Sequence, residues 1–106
     1  MIRDLSNQSF VFNEIHHEVV LCVAFDPTGE EVVAGGQSGH VQVLNLKARK
    51  ERLCLIGHKK AVNAVSYSPD GKTICTGSDD AQIILWDAEN GKLVDHFKKV
   101  ILKGFL

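Results

Sequence analysis

Two stretches of this chain repeat one another, and this repetition constrains the fold more than any other feature of the sequence. VAFDPTG at residues 23–29 matches VSYSPDG at residues 65–71, so the second copy lies 42 residues after the first. The same offset places Gly35 at the position of Gly77. Repeats of this length are typical of architectures in which each supersecondary unit buries its apolar face against the next. The sequence therefore predicts at least two similar units packed side by side.

The second copy has the pattern of four short antiparallel strands separated by turns. Pro69-Asp70-Gly71 is a strong turn signal, because Pro presets φ, Asp bonds to its own backbone and Gly accepts positive φ. Residues 79–81 form a second break, and Asn90-Gly91 is the pair that type I′ hairpin turns prefer. These breaks predict strands over about 61–67, 73–78, 82–87 and 92–98.

The second copy resembles one repeat of the WD-repeat β-propeller family. It opens with Gly57-His58 and closes with Trp86-Asp87, and between them SPDG at 68–71 and GSDD at 77–80 follow the family's order and spacing. In that family one repeat of about 40–45 residues makes a four-stranded blade. The resemblance implies an all-β fold: two consecutive four-stranded antiparallel propeller blades, an incomplete propeller, and an extra N-terminal closing strand at residues 9–12.

This interpretation divides the chain into four parts. They are an N-terminal segment (1–15), a degenerate first blade (16–57), a second blade (58–98) and a C-terminal tail (99–106). The apolar runs at 19–25 and 83–86 do not alternate as a half-solvated strand would, which favours sheets buried on both faces by stacking. Two blades alone leave an outward face at each end. We therefore expect self-association or completion by further blades.

The family resemblance also implies a buried network of hydrogen bonds in the second blade. Its members would be His58, Ser78 (with Thr76 as the near alternative), Asp80 and Trp86. A buried indole N–H needs an acceptor, a hydroxyl can accept it and donate onward, and imidazole can bridge hydroxyl and carboxylate. Serine, histidine and aspartate are also the residue types of a catalytic triad. We favour the structural network, because the indole would occupy the hydroxyl, and we predict no catalytic residues and no enzyme activity.

The first copy lacks most of these polar groups. Ile15-His16 stands where Gly57-His58 stands in the second copy, and Leu44-Asn45 replaces Trp86-Asp87. Ser38 takes the place of Asp80. We predict the same blade shape without the polar network.

Charge and cysteine content exclude several other classes of protein. The formal net charge is −1 with both signs interspersed, which gives no footprint for nucleic acid or an anionic membrane. No apolar run is long enough to span a bilayer. Cys22, Cys54 and Cys75 form no Cys-x-x-Cys pair, which favours a reducing compartment, cytoplasmic or nuclear, and three small buried hydrophobes.

A metal site at His16-His17, with Glu14 and Glu18 beside them, is disfavoured by spacing. Adjacent residues of a strand point to opposite faces, so the two imidazoles would diverge. GGQSG at residues 35–39 resembles a phosphate-binding loop but lacks the following Lys-Ser/Thr. It is predicted to be a strand-to-strand turn. We predict no metal and no cofactor.

The candidate functional residues lie in surface turns. In WD-repeat propellers, the turns before the first strand and between the second and third strands gather on one rim. Here those turns carry His17, Glu18, Gln37, Lys59, Lys60 and Asp79. Their mixed charge suits a protein partner better than a polyanion. The resemblance thus implies a non-catalytic scaffold for protein–protein interaction. The alternative is a portion of a larger propeller enzyme or multidomain regulator whose active residues lie elsewhere.

Overall fold

The computed structural model describes residues 19–98, which form eight strands in two four-stranded antiparallel sheets. Each sheet is a simple meander, in which every strand pairs with the next along the chain. The first sheet contains β1 (Val20–Phe25), β2 (Glu31–Gly36), β3 (Val41–Asn45) and β4 (Lys50–Leu55). The second contains β5 (Val62–Tyr67), β6 (Thr73–Ser78), β7 (Gln82–Asp87) and β8 (Leu93–Lys98).

The predicted all-β fold with two four-stranded units is confirmed. The strands of the second sheet lie within a residue of the predicted bounds, because the Pro69–Gly71 and Asp79–Ala81 turns fall where the sequence signals place them. Residues 37–40 form the turn between β2 and β3, as predicted for that glycine-rich segment. The predicted strand at residues 9–12 and the C-terminal tail lie outside the described residues.

The connection between β7 and β8 differs from the predicted type I′ turn. That turn needs positive φ at two successive residues, and here Gly91 has φ 76° while Asn90 is not in that region. The loop is longer instead: the Gly91 N–H donates to the Asp87 carbonyl, and the Asp87 N–H donates to the Lys92 carbonyl. Asp87 Oδ1 accepts the N–H groups of Glu89 and Asn90. The Asp87 side chain therefore organises the loop that the Asn-Gly pair alone would have made tighter.

One apolar core lies between the two sheets. From the first sheet it takes Val33, Val41, Val43 and Leu55, and from the second Val62, Ile74, Ile84, Trp86 and Ala88. Val62 fills the space above Gly35, where an added Cβ would lie 2.6 Å from Val62 Cγ1. The glycine is thus required by close contact between the sheets.

The opposite face of the first sheet carries a second apolar cluster. Its buried members are Val32, Ala34, Leu44 and Leu46. Residues of the two clusters alternate along β2 and β3: Val32 pairs with Leu44 in the second cluster, and the next residue, Val33, pairs with Val43 in the first. Adjacent residues of β2 therefore contribute to two different cores, as expected for a sheet covered on both sides.

Burial on both sides does not extend to every apolar run. Leu21 is 45% exposed and Val23 is 50% exposed, although the run at 19–25 was predicted to be buried. Ile83 and Leu85 are only half-buried. Leu21 and Val23 lie on the edge strand β1, and Ile83 and Leu85 lie on the face of the second sheet that is turned away from the first.

The prediction of three buried cysteines is wrong. None of the three forms a disulfide; Cys22 and Cys75 are half-buried and Cys54 is exposed. Cys54 lies on the outermost strand β4 between Leu53 and Leu55, which contribute to the inter-sheet core. Since neighbouring strand residues point to opposite faces, the Cys54 thiol is directed away from that core.

Candidate functional site

The second sheet contains a continuous chain of side-chain hydrogen bonds, here called the polar network, made by Trp86, Thr76, His58 and Asp80. The Trp86 Nε1–H donates to Thr76 Oγ1 over 2.9 Å. Thr76 Oγ1 lies 2.6 Å from His58 Nε2, and His58 Nδ1 lies 3.1 Å from Asp80 Oδ2. The Thr76, His58 and Trp86 residues are buried.

One arrangement of protons satisfies every member of this network. Thr76 has a single hydroxyl proton, and its oxygen already accepts the indole N–H. If that proton is donated to His58 Nε2, the Nδ1 atom of a neutral imidazole carries the other proton and donates it to Asp80. Each donor then has an acceptor, which removes the cost of burying these polar groups.

The hydroxyl in the network belongs to Thr76 and not to Ser78, which corrects the first choice made from the sequence. Trp86 pairs across the sheet with Ile74, so Thr76 is its diagonal neighbour, two residues along β6. Ser78 lies four residues from Ile74, roughly 13 Å along the strand, beyond this contact. The two turn signals fix which residues of β6 and β7 are paired. Counting from them would have shown that Thr76, and not Ser78, lies near Trp86.

Ser78 has a different structural role. Its hydroxyl donates to the Lys60 carbonyl over 3.0 Å and accepts the Asp80 N–H over 3.1 Å. The serine thus joins the segment before β5 to the turn after β6. A Ser-His-Asp triad is not formed, because the His58 ring contacts Thr76 and the Ser78 oxygen is engaged by backbone groups.

Asp80 connects the polar network to the backbone of two loops. Its carboxylate accepts the Lys59 N–H over 2.9 Å and the Gln82 N–H over 2.9 Å, in addition to the bond from His58. Burial alone would raise the pKa of Asp80, but the hydrogen bonds from Lys59, His58 and Gln82 outweigh it, so the pKa lies below its ordinary value. The carboxylate therefore remains ionised and holds both loops in place.

The loops held by Asp80 and Ser78 form a continuous surface, here called the turn rim, made of residues 37–40, 56–61 and 79–81. The Asp79 N–H donates to the Ala61 carbonyl over 2.9 Å, which joins two of these segments. The segment 37–40 is in close contact with the segment 56–61, because a Cβ added at Gly39 would lie 2.7 Å from the His58 carbonyl oxygen. The structure therefore brings together turns that are distant in the sequence.

Four of the predicted partner-binding residues lie exposed on the turn rim: Gln37, Lys59, Lys60 and Asp79. The other two, His17 and Glu18, lie outside the described residues. The sequence analysis missed Asn63, whose Nδ2 donates to Asp79 Oδ1 over 2.6 Å and orients that carboxylate. An Asn near the start of a strand gave no signal of its own.

At the opposite end of the sheets, Arg52 joins the two units, another contact that the sequence did not reveal. Its Nε and Nη2 atoms donate to the two Glu31 oxygens over 2.6 and 2.8 Å. Its Nη2 and Nη1 atoms also donate to the Ala88 and Glu89 carbonyls of the second sheet. Arg52 thus links the outer strand of the first sheet to the β7–β8 loop. It borders a cleft of about 480 Å³ between the sheets.

The described residues hold no group of three or more His, Cys, Asp or Glu side chains placed to bind a metal ion. Over the same residues, no helix has the length and apolar character needed to cross a membrane.

Comparison with known proteins identifies the family. The family model for the WD domain, G-beta repeat, matches residues 8–45 and 49–87. The chain belongs to this family. It is 40% identical over 83 residues to the small ribosomal subunit protein RACK1y of Oryza sativa subsp. japonica, covering 76% of this chain and 25% of that relative.

Two solved structures have the same fold. The β-propeller domain of Cps50 (Swd1) from Myceliophteria thermophila superposes with a TM-score of 0.74 at 26% identity, over 76% of this chain and 25% of that one. The structure of U3-55K gives a TM-score of 0.74 at 17% identity, over 78% and 27%. The resemblance to WD-repeat propellers is confirmed. The chain spans about a quarter of the length of these relatives.

Proposed function

We propose that this WD-repeat chain is a non-catalytic scaffold that binds a protein partner through the turn rim. The observation that carries the proposal is the attachment of the rim to the buried polar network. Asp80 holds the backbone at Lys59 and Gln82, and Ser78 holds the carbonyl of Lys60. Exposed side chains on a fixed backbone lose less conformational entropy on binding, which favours recognition.

The charge of the rim supports a protein partner. Lys59 and Lys60 are exposed beside the exposed carboxylate of Asp79. Both signs on one surface can form complementary pairs with a protein of mixed charge. We infer an intracellular, cytoplasmic location, supported by three cysteines that form no disulfide and by the relative's description as a ribosomal subunit protein.

Small ribosomal subunits are the first partner to test, since the RACK1y relative carries that description. The chain would be cosedimented with purified eukaryotic small subunits, together with a Lys60→Glu/Asp79→Lys variant whose rim charges are reversed. We expect recovery of the variant to fall by about tenfold with unchanged unfolding, because exposed substitutions usually shift stability by only about 0.5 kcal/mol.

The matched control reverses charges away from the rim, at Lys47 and Glu89, which are exposed turn residues. It should cosediment as the wild type does. If the rim variant is recovered as well as the control, the rim is not the binding surface. If neither the wild type nor the two variants bind to small subunits, another partner is sought. The wild type and the rim variant are then crosslinked in parallel to proteins of a cell extract, and the two sets of crosslinked proteins are compared.

A further inference from the structure

The cleft between the two sheets is a hollow whose walls belong to both, and we call it the inter-sheet cleft. It lies at the end opposite the turn rim, and its volume of about 480 Å³ suits a small ligand or a side chain. The sheets are joined beside it at two points. A Cβ added at Gly71 would lie 3.2 Å from Pro27 Cδ, and Arg52 donates to the Ala88 and Glu89 carbonyls. The hollow is therefore formed before any ligand arrives.

The Tyr67 side chain lines the cleft and has an unsatisfied polar atom. Its hydroxyl is buried and has no hydrogen-bond partner among the described residues, which costs free energy until a partner is supplied. Burial raises the pKa of Tyr67, and the charges of Glu31 and Asp26 raise it further, so the hydroxyl keeps its proton. The ring as a whole is only half-buried. Tyr67 therefore offers an aromatic surface and a hydroxyl to an entering group.

The charged side chains of the cleft favour a cation. Four of them are negative and two are positive: Asp26, Glu31, Asp87 and Glu89 against Arg52 and Lys72. The excess of carboxylates makes the hollow attractive to positive groups and repulsive to anions. Lys72 is exposed and has a flexible stem, so its ammonium group can turn towards solvent when a cation enters.

Two of the four carboxylates keep oxygen atoms that no described residue engages. Both Glu31 oxygens accept from Arg52, and both Asp26 oxygens accept from residues of the β1–β2 turn and the start of β2. In contrast, Asp87 uses only Oδ1, and within residues 19–98 nothing donates to Asp87 Oδ2 or to the Glu89 carboxylate. These two acceptors are available to a ligand.

Arg52 shows which kind of cation these walls suit. Its guanidinium binds Glu31 through two parallel hydrogen bonds of 2.6 and 2.8 Å and uses its other N–H groups on two carbonyls. A planar guanidinium can bind carboxylates in this forked way and stack on an aromatic ring, whereas an ammonium group acts as a point charge. The Tyr67 ring, Asp87 Oδ2 and the Glu89 carboxylate form a second set of groups with the same chemistry.

We propose that the inter-sheet cleft binds an arginine side chain of a protein partner. The guanidinium lies against the Tyr67 ring and donates to Asp87 Oδ2, to the Glu89 carboxylate and to the Tyr67 hydroxyl. The exposed Lys72 and Glu89 side chains move as it enters, which uncovers the hydroxyl. An arginine within a protein segment is favoured over free arginine, because the free amino acid carries an α-carboxylate that the negative cleft repels.

The test is a titration of the full chain with N-acetylarginine amide, which has the guanidinium but no charged termini, followed by two-dimensional amide NMR spectra. We expect saturable binding with a dissociation constant on the order of millimolar, and shifts centred on Tyr67, Gly71 and Ala88. N-acetylcitrulline amide has nearly the same shape without the charge and should not bind. Free arginine should bind more weakly than the blocked compound.

Two pairs of variants test the role of charge in the cleft. Glu89→Gln should weaken binding by about fivefold, whereas Asp95→Asn, with the same charge change on β8 outside the cleft, should leave it unchanged. Lys72→Gln should tighten binding because it removes a competing cation, and Lys98→Gln on β8 is its control. Circular dichroism establishes that each variant is folded.

Tyr67→Phe tests the hydroxyl with two readouts of opposite sign. Removing an unpartnered buried hydroxyl should raise the thermal midpoint slightly, while binding of N-acetylarginine amide should weaken by about threefold. A purely structural tyrosine would change the midpoint and leave binding as it is.

The proposal is overturned if the citrulline compound binds as tightly as the arginine compound, if only free arginine binds, if Glu89→Gln binds like Asp95→Asn, or if Tyr67→Phe binds like the wild type. The Lys60→Glu/Asp79→Lys variant should bind N-acetylarginine amide as the wild type does, because the turn rim lies at the other end of the sheets. Failure of this proposal therefore leaves the proposed function of the rim untouched.

Discussion

The two sheets share one backbone conformation but differ in the side chains that they bury. Both are four-stranded meanders with an irregularity between the first two strands and another between the last two. Positive φ occurs at the same three repeat positions in each: Gly29 and Gly71, Gly39 and Ala81, and Arg49 and Gly91. The backbone conformation is thus the same in the two copies even where glycine is not.

The cores of the two sheets differ where the backbones agree. Ala34 of the first sheet stands at the position of Thr76, and Leu44 stands at the position of Trp86. In the first sheet these positions belong to a wholly apolar cluster, whereas in the second they form the polar network. The blade shape therefore needs buried volume at these positions, and it does not need the hydrogen bonds.

The polar network adds a connection that apolar packing cannot supply. Asp80 holds the backbone on both sides of it, at Lys59 and Gln82. The equivalent residue in the first sheet is Ser38, which is exposed and lies 3.3 Å from His40 Nδ1. The second sheet thus fixes its rim turns from the interior. Four substitutions test this contrast.

The largest effect is expected for Asp80→Ala. The change strands the buried His58 imidazole and removes the acceptor of two backbone N–H groups. Each buried group left without a partner costs about 1–3 kcal/mol, so the combined loss should be about 3–5 kcal/mol, and Ser38→Ala should cost no more than about 0.5 kcal/mol. Urea unfolding followed by Trp86 fluorescence measures both losses. Equal losses at the two positions would contradict the contrast between the sheets.

The next effect is expected for Gly39→Ala, which tests the contact between the first sheet's turn and the second sheet's loop. The added methyl group would lie 2.7 Å from the His58 carbonyl oxygen and 3.0 Å from that of Lys60, at a φ of 98°. Left-handed strain of about 1–2 kcal/mol and a displaced backbone at about 1–3 kcal/mol predict a total loss of about 2–5 kcal/mol. The same unfolding assay measures it. A loss below about 1 kcal/mol would show that this turn is not held against the second sheet.

Thr76→Val tests which hydroxyl completes the network. The substitution keeps the volume but leaves the Trp86 N–H and His58 Nε2 without partners, at about 1–3 kcal/mol for such groups. We expect a loss of about 2 kcal/mol and a smaller additional loss when Trp86→Phe is combined with it, because the indole donor is then already absent. Circular dichroism replaces fluorescence in this cycle. Strictly additive losses would show that the two side chains are not coupled.

The smallest effect is a gain. Ala81 has φ 68° at the position where the first sheet has Gly39, and a side chain at positive φ is strained. Relief of left-handed strain of about 1–2 kcal/mol, less about 0.4–1 kcal/mol for the greater entropy of glycine in the unfolded state, predicts that Ala81→Gly stabilises the chain by about 0.5–1 kcal/mol. Ala48→Gly, in an exposed turn without positive φ, is the control and should destabilise slightly. Both shifts are measured by urea unfolding, and a loss at Ala81 equal to that at Ala48 would contradict the strain.

Much of the fold could be predicted because its signals are local. Pro69, Asp70 and Gly71 form a turn by their own conformational preferences, and the 42-residue offset carries that assignment to the first copy. His58, Asp80 and Trp86 were named as candidates from the resemblance, and the structure places them in one hydrogen-bonded chain. The position of the hydroxyl was not predicted, because the diagonal contact from Trp86 depends on the register of two strands.

Contacts between the sheets could not be predicted from local signals. Arg52 looks like an ordinary charged residue of an edge strand, and its partners at Ala88 and Glu89 lie 36 and 37 residues away. Cys54 and Cys75 looked like small core residues, yet their exposure depends on which face of each sheet has a neighbour. The exposed fraction of a cysteine side chain is therefore set by how the two sheets pack, and the residue type alone does not predict it.

The sequence by itself determined the strands, the turns and the repetition, because strand propensity, turn chemistry and periodicity act over a few residues. The tertiary structure decided which hydroxyl completes the polar network, which turns share a rim and which apolar residues stay exposed. These depend on the register of strands and on the packing of one sheet against the other, as where Val62 fills the space above Gly35. Burial is set by neighbours distant in the chain, so it emerges only when the two sheets are placed together.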